Sequence, residues 1–125
     1  MTINLYAAWI GLLLGLLSGV ISGLFFHDEN WLGGYATWRR RMIRLGHISL
    51  FGLGFINLAF FLTAQVLEIK SGLTASALLL IIGAATMPTV CYLAAFRKPF
   101  RQLFFVPVLS VGFGIIMFLW RLVSV

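Results

Sequence analysis

Two histidines, His27 and His47, are the side chains in this sequence best suited to holding a ligand, and His47 stands three residues after Arg44. Imidazoles on two different segments are the donor set of a b-type haem, and Arg44 beside His47 supplies a cation of the kind a propionate needs. A second set joins His47 and Arg44 to Tyr92: an imidazole, a fixed cation and a phenol suit a quinone carbonyl or a lipid headgroup. Neither set has a specific spacing, since any chain with two histidines contains one pair. The competing role for a histidine or asparagine at membrane depth is a hydrogen bond between helices, which contributes roughly 0.6 kcal/mol on average. Haem b or quinone binding therefore stands as an alternative reading.

Other chemistry finds little material. The three acids, Asp28, Glu29 and Glu68, fall at the ends of the apolar segments, so no carboxylate lies mid-membrane to relay a proton. His27, Asp28 and Glu29 are consecutive and do not readily converge on one ion, and no CxxC or HExxH spacing occurs, so no metal site is expected. Cys91 is the single cysteine; it excludes an intramolecular disulfide and reads as a small buried hydrophobe. No arrangement of nucleophile, base and acid is present, and no catalytic residue is assigned. Thr63, Thr86, Thr89 and Ser110 are too scattered for one subunit to line a wet path.

The elements that must position these groups follow from composition. Hydrophobic residues make up 62% of the 125 and charged residues only 10%, with a mean hydropathy of +1.06. A water-soluble domain of this size has too little interior for that apolar surface, which belongs in lipid. Four apolar segments, 5–26, 42–66, 73–96 and 103–120, are each about long enough to cross a hydrocarbon core of ~30 Å. The sequence predicts an all-α membrane protein: one domain over 1–125, a four-helix bundle made of two helical hairpins. The first segment has no basic residue before it and exceeds the length of a signal-peptide core, so it is expected to stay as helix one.

Charge sets the orientation. Arg39, Arg40, Arg41 and Arg44 belong to the first loop and its margin, and Arg97, Lys98 and Arg101 to the third, leaving Lys70 and Arg121 on the opposite side. Loops 27–41 and 97–102 are therefore predicted to be cytoplasmic, with both termini outside, as in a bacterial-type inner membrane. The net charge of +6 follows from this topology, and no nucleic-acid partner is inferred from it. In the first loop, Asp28 or Asn30 is positioned to cap a short helix carrying Trp31, Tyr35 and Trp38. Gly33-Gly34 weakens that helix. These aromatics read as a headgroup-level belt or, more sharply, as a lid over a cytoplasmic-side site.

Two packing patterns complete the reading. In helix one, Ala7, Gly11, Gly15, Gly19 and Gly23 recur every four residues, and a second small stripe runs through Ala8, Gly11, Gly15, Ser18 and Ser22. Small residues let helix backbones approach closely in lipid; the partner is another helix of this chain, a second copy or another subunit. In helix two, His47, Leu50, Gly54, Asn57 and Phe61 share a face that should point at neighbouring helices. Pro88 and Pro107 are expected to bend helices three and four. By elimination the sequence points to a non-catalytic accessory or structural subunit of a larger membrane complex. A haem- or quinone-binding redox protein is the first alternative and a small oligomeric transporter or channel the second. The expected partners are the bilayer and other membrane subunits, or a second copy through helix one.

Overall fold

A computed structural model describes residues 2–125. It contains four long helices, α1 (Thr2–Phe26), α2 (Trp38–Val66), α3 (Thr74–Phe96) and α4 (Phe105–Val123), with 3-10 turns at Trp31–Gly33 and Lys98–Phe104. Each is long and apolar enough to cross a membrane, the fourth when its 3-10 lead-in is included. The protein is the all-helical, four-span membrane protein that its composition requires.

Helix boundaries differ from the apolar segments where polar residues extend a helix. α2 starts at Trp38, four residues before its apolar stretch, so Arg39, Arg40, Arg41 and Arg44 ride on its first two turns. Thr37 makes this start possible: its hydroxyl accepts from Arg40 N (3.4 Å) in the N-cap position. α1 begins at Thr2, which brings Asn4 into the helix. In α4 the chain winds as 3-10 through Phe104 and as α from Phe105. Pro107 therefore lies in the first turn, where an α-helix has no internal partner for the missing N–H. Pro88 is the proline inside a helix, and it is buried.

α2 and α3 form the centre of the bundle. α1 packs along α2 and touches α3 less extensively, whereas α4 packs along α3. Small residues set both outer interfaces. A Cβ on Gly11 would stand 3.3 Å from Leu50 O, and one on Gly54 3.1 Å from Ala8 O, so the α1 and α2 backbones are nearly in contact. Gly83 lies beneath Val111 and Gly114 beneath Leu80 across the α3–α4 interface. There Ser110 Oγ donates to Leu79 O (2.6 Å).

The tightest core lies at the end away from the arginine-rich loops. Phe60, Ala64, Ile69, Leu73, Ala77 and Leu80 are buried together, with Phe118 and Leu122 of α4 against them. Phe118 meets Phe60 edge-on at 4.7 Å between centroids, joining α4 to α2. The same end is closed by Arg121, whose Nε donates to Ser71 O (3.0 Å) across the α2–α3 loop. At the opposite end stand the polar loops, and a cleft between α1 and α3 extends toward them.

Candidate functional site

Three polar constructions organise the interior, and each uses a residue that apolar patterning does not single out. The first is a pair of asparagines. Asn4 Nδ2 donates to Asn57 Oδ1 (2.7 Å) and to Ala77 O (3.1 Å), while Asn57 Nδ2 donates to Leu53 O (2.9 Å) and Leu80 O (3.4 Å). Both side chains are fully buried, which ties α1, α2 and α3 at one point. Asn57 was legible as an interior polar group. Asn4, set before the first apolar run, gave only its residue type as a signal.

The second construction is Arg40. Only 2% of it is exposed. Its Nη2 donates to Phe26 O (3.3 Å), and its Nη1 donates to Asp28 O and Glu29 O (both 3.4 Å). These are carbonyls at the end of α1 and just beyond it, where helix geometry leaves acceptors without partners and the helix dipole is negative. The guanidinium also lies over the rings of Phe26 (5.0 Å) and Trp31 (5.6 Å), a favourable setting for a delocalised cation. One member of the arginine run is thus an internal fastener.

The third is a junction of hydroxyls. Ser18 and Tyr92 are hydrogen-bonded through their side chains, connecting α1 to α3. The Tyr92 ring lies against Gly46, where a Cβ would come within 3.0 Å. Cys91 is buried beside the same glycine, at 3.3 Å.

The first loop does not form the continuous short helix that its aromatic spacing suggests. It makes only the 3-10 turn Trp31–Gly33. Asn30, at the N-cap position, makes no side-chain cap, and Asp28 Oδ1 instead accepts from Asn30 N (2.9 Å). Leu32 at φ 54°, Gly33 at φ 90° and Gly34 at φ 112° break the helical path. The three aromatics consequently take separate partners. Trp31 stacks on Phe25, Tyr35 lies under the Arg44 guanidinium at 4.0 Å, and Trp38 Nε1 donates to Ala94 O of α3 (2.6 Å).

The remaining site candidates are dispersed. His47 is half-buried between α1 and α2. A Cβ on Gly19 would come within 2.6 Å of its Cε1, Phe51 meets its ring edge-on, and its Nδ1 is buried without a partner. His27 is exposed in the turn after α1. Eight residues separate Gly19 from His27, so the two imidazoles differ in depth by about 12 Å at ~1.5 Å per residue. Arg44, on the second turn of α2, donates to Tyr35 O of the loop (3.0 Å), while Tyr92 is engaged by Ser18. The structure therefore brings Tyr92 to a cavity wall and leaves His27, His47 and Arg44 at separate places. Of the helix-packing stripe, Gly11, Gly15 and Gly19 face α2, Ala7 borders a shallow hollow with Gly54, and Gly23 has nothing within 4 Å of a Cβ.

Between α1 and α3, on the arginine-rich side of the Asn4–Asn57 pair, lies a cleft of about 690 Å³. Its walls include Leu14, Leu17 and Ile21 of α1 and Ala84, Ala85 and Pro88 of α3, with Leu50 at one end and Trp31 and Phe96 at the other. No protein-family model matches this chain, and no curated protein or solved structure does. Its functional reading rests on its own residues.

A smaller polar cavity of about 460 Å³ adjoins the cleft, lined by Thr37, Trp38, Arg39 and Lys98 among others. Phe96 borders both spaces. Among the described residues, no three His, Cys, Asp or Glu side chains gather around a point where one ion could be held.

Proposed function

We propose that this protein is a non-catalytic accessory or structural subunit of a larger membrane assembly. The observation that carries the reading is where its membrane-depth polarity goes. Asn4, Asn57, Ser18, Tyr92 and Ser110 are joined to groups on the chain's own helices, and the outward faces are almost wholly apolar. Of the 25 residues of α1, only Asn4, Ala8, Gly15 and Ser22 are buried. The helix rests on the bundle along one edge and presents Leu13, Leu16 and Val20 outward. Such a molecule offers surface for helix packing in lipid rather than a reactive centre. The clustering of arginines in two loops supports a cytoplasmic location for that end, with both termini outside, in a bacterial-type inner membrane.

The test is gentle purification from native membranes followed by mass spectrometry of proteins and cofactors. Stoichiometric partner proteins are the expected result. A particle containing only this chain sinks the subunit reading.

A redox role has one observation in its favour, the unbonded and buried Nδ1 of His47. It predicts a haem Soret band or an extractable quinone in the purified protein, removed by His47→Gln. A cofactor-free particle that retains partner proteins decides for the subunit reading.

A further inference from the structure

We propose that the α1–α3 cleft and the polar cavity at its mouth together form a binding site for one anionic phospholipid, with an acyl chain in the cleft and the phosphate between Arg39 and Lys98.

The dimensions fit a lipid held in one leaflet. Along α3 the cleft runs from Ala84 to Phe96, twelve residues or about 18 Å at ~1.5 Å per residue. Half of a ~30 Å hydrocarbon core is about 15 Å. The deep end therefore lies near the bilayer midplane when Trp31 and Phe96 lie at the headgroup boundary. Its lining is nearly all hydrocarbon. Of its four hydroxyls, Thr89 donates to Ala85 O (2.6 Å), Ser18 and Tyr92 are bonded to each other, and Ser22 alone is left to meet a ligand. A polar ring buried there would find few free partners, whereas an acyl chain needs none.

Charge decides the headgroup. Arg39 and Lys98 both line the cavity above Phe96, and the Lys98 ammonium is 5.1 Å from the Trp38 ring centroid. Trp38 is itself fixed by its bond to Ala94 O. Both side chains are exposed and, among the described residues, neither forms an ion pair with a carboxylate, so both are free to meet an anion. A phosphate diester supplies one, and a headgroup without a balancing ammonium does so best. The left-handed turn at Leu32 and Gly33 stands where the two spaces meet: Trp31 borders the apolar one, and Leu32 and Gly33 border the polar one.

The site does not depend on the identity of any partner subunit. Its test uses the full chain in detergent, titrated with dioleoyl phosphatidylglycerol or dioleoyl phosphatidylcholine, with bound lipid counted by native mass spectrometry. One phosphatidylglycerol should be retained about 30-fold more tightly than phosphatidylcholine, taking roughly 1 kcal/mol for each of the two basic residues against a net-anionic lipid. R39Q/K98Q, which alters exposed side chains and leaves the fold intact, should bring the two lipids to near equality. Ala85→Trp, which fills the cleft from its lipid-facing wall, should weaken both. The proposal is overturned if the native chain shows no preference between the lipids. It is equally overturned if the preference survives R39Q/K98Q, or if Ala85→Trp in a folded protein leaves retention of both lipids unchanged.

Discussion

At the scale of single residues, the asparagine pair and Arg40 carry the most specific expectations. Asn4 and Asn57 each hold an amide in the low-dielectric centre of three helices, where an unmet donor or acceptor is costly. A double-mutant cycle with Asn4→Leu and Asn57→Leu should show a coupling of about 0.5–1.7 kcal/mol, the range for hydrogen bonds between membrane helices. It would be measured by reversible unfolding in mixed micelles, and strict additivity would show that the bond contributes nothing net. Arg40 should stand apart from its neighbours. Removing its guanidinium exposes the carbonyls of Phe26, Asp28 and Glu29 and strips a cation from two rings. Arg40→Ala is therefore expected to cost ~2–3 kcal/mol, while Arg39→Ala and Arg41→Ala stay within ~0.5 kcal/mol. Arg40→Lys should rescue little, because one ammonium nitrogen replaces the two, Nη1 and Nη2, that reach separate carbonyls, and the planar cation over the Phe26 and Trp31 rings is lost. Equal effects at all three arginines would mean that only their charge matters.

At the scale of elements, α1 tests what a glycine stripe is for. Its members look alike in the sequence, but their surroundings differ. A side chain at Gly15 meets the Phe51 ring at 3.0 Å and one at Gly19 meets His47 at 2.6 Å, whereas Gly23 faces open space. Gly15→Leu and Gly19→Leu should each lower bundle stability by about 1–3 kcal/mol through overpacking. Gly23→Leu should be neutral or gain about 0.5–1 kcal/mol, since glycine is a poor helix former. The readout is the same unfolding titration. If Gly23→Leu were as damaging as Gly19→Leu, the lower part of the stripe would have to contact a second molecule. The start of α2 shows a related ambiguity. Four arginines suggested a loop because charge is expensive in lipid, yet Thr37 caps the helix and Trp38 anchors it to α3. The long side chains then carry their charges back out to the loop, as Arg40 and Arg44 do.

At the scale of the whole molecule, orientation and asymmetry go together. The bundle is closed at one end by the Phe60–Leu80 core and the Arg121–Ser71 clasp. It opens at the other, where seven of the nine basic residues stand. With Cys91 replaced by alanine, Lys70→Cys should react with an impermeant maleimide added outside intact cells, and Lys98→Cys should not. The reverse pattern would turn the molecule over and carry the lipid site to the outer leaflet. In the unaltered chain Cys91 should resist labelling without denaturant, because it is fully buried between α2 and α3.

The sequence by itself determined the physical class of this protein. Apolar runs long enough to span lipid, with no water inside the bilayer to satisfy an open backbone, leave few choices other than helices. The clustering of arginines likewise marked which loops share a side, because both hairpins return to it. The sequence also marked Asn57 as interior and the small face of α1 as a helix-packing face whose partner it left open, since polarity and close approach are tolerated in lipid only between helices. What the tertiary structure alone decided is who meets whom. His27 and His47 are on adjoining segments but at different depths, so the pair that a one-dimensional reading suggests is not brought together. Asn4 reaches Asn57 across 53 positions, and Arg40 folds back on α1 while Arg39 lines a polar cavity with Lys98. Those partnerships depend on helix rotation and axial offset, quantities fixed by the summed contacts of Gly11, Gly54, Gly46 and Gly83 with their opposite walls, and no local pattern in the chain encodes such a sum.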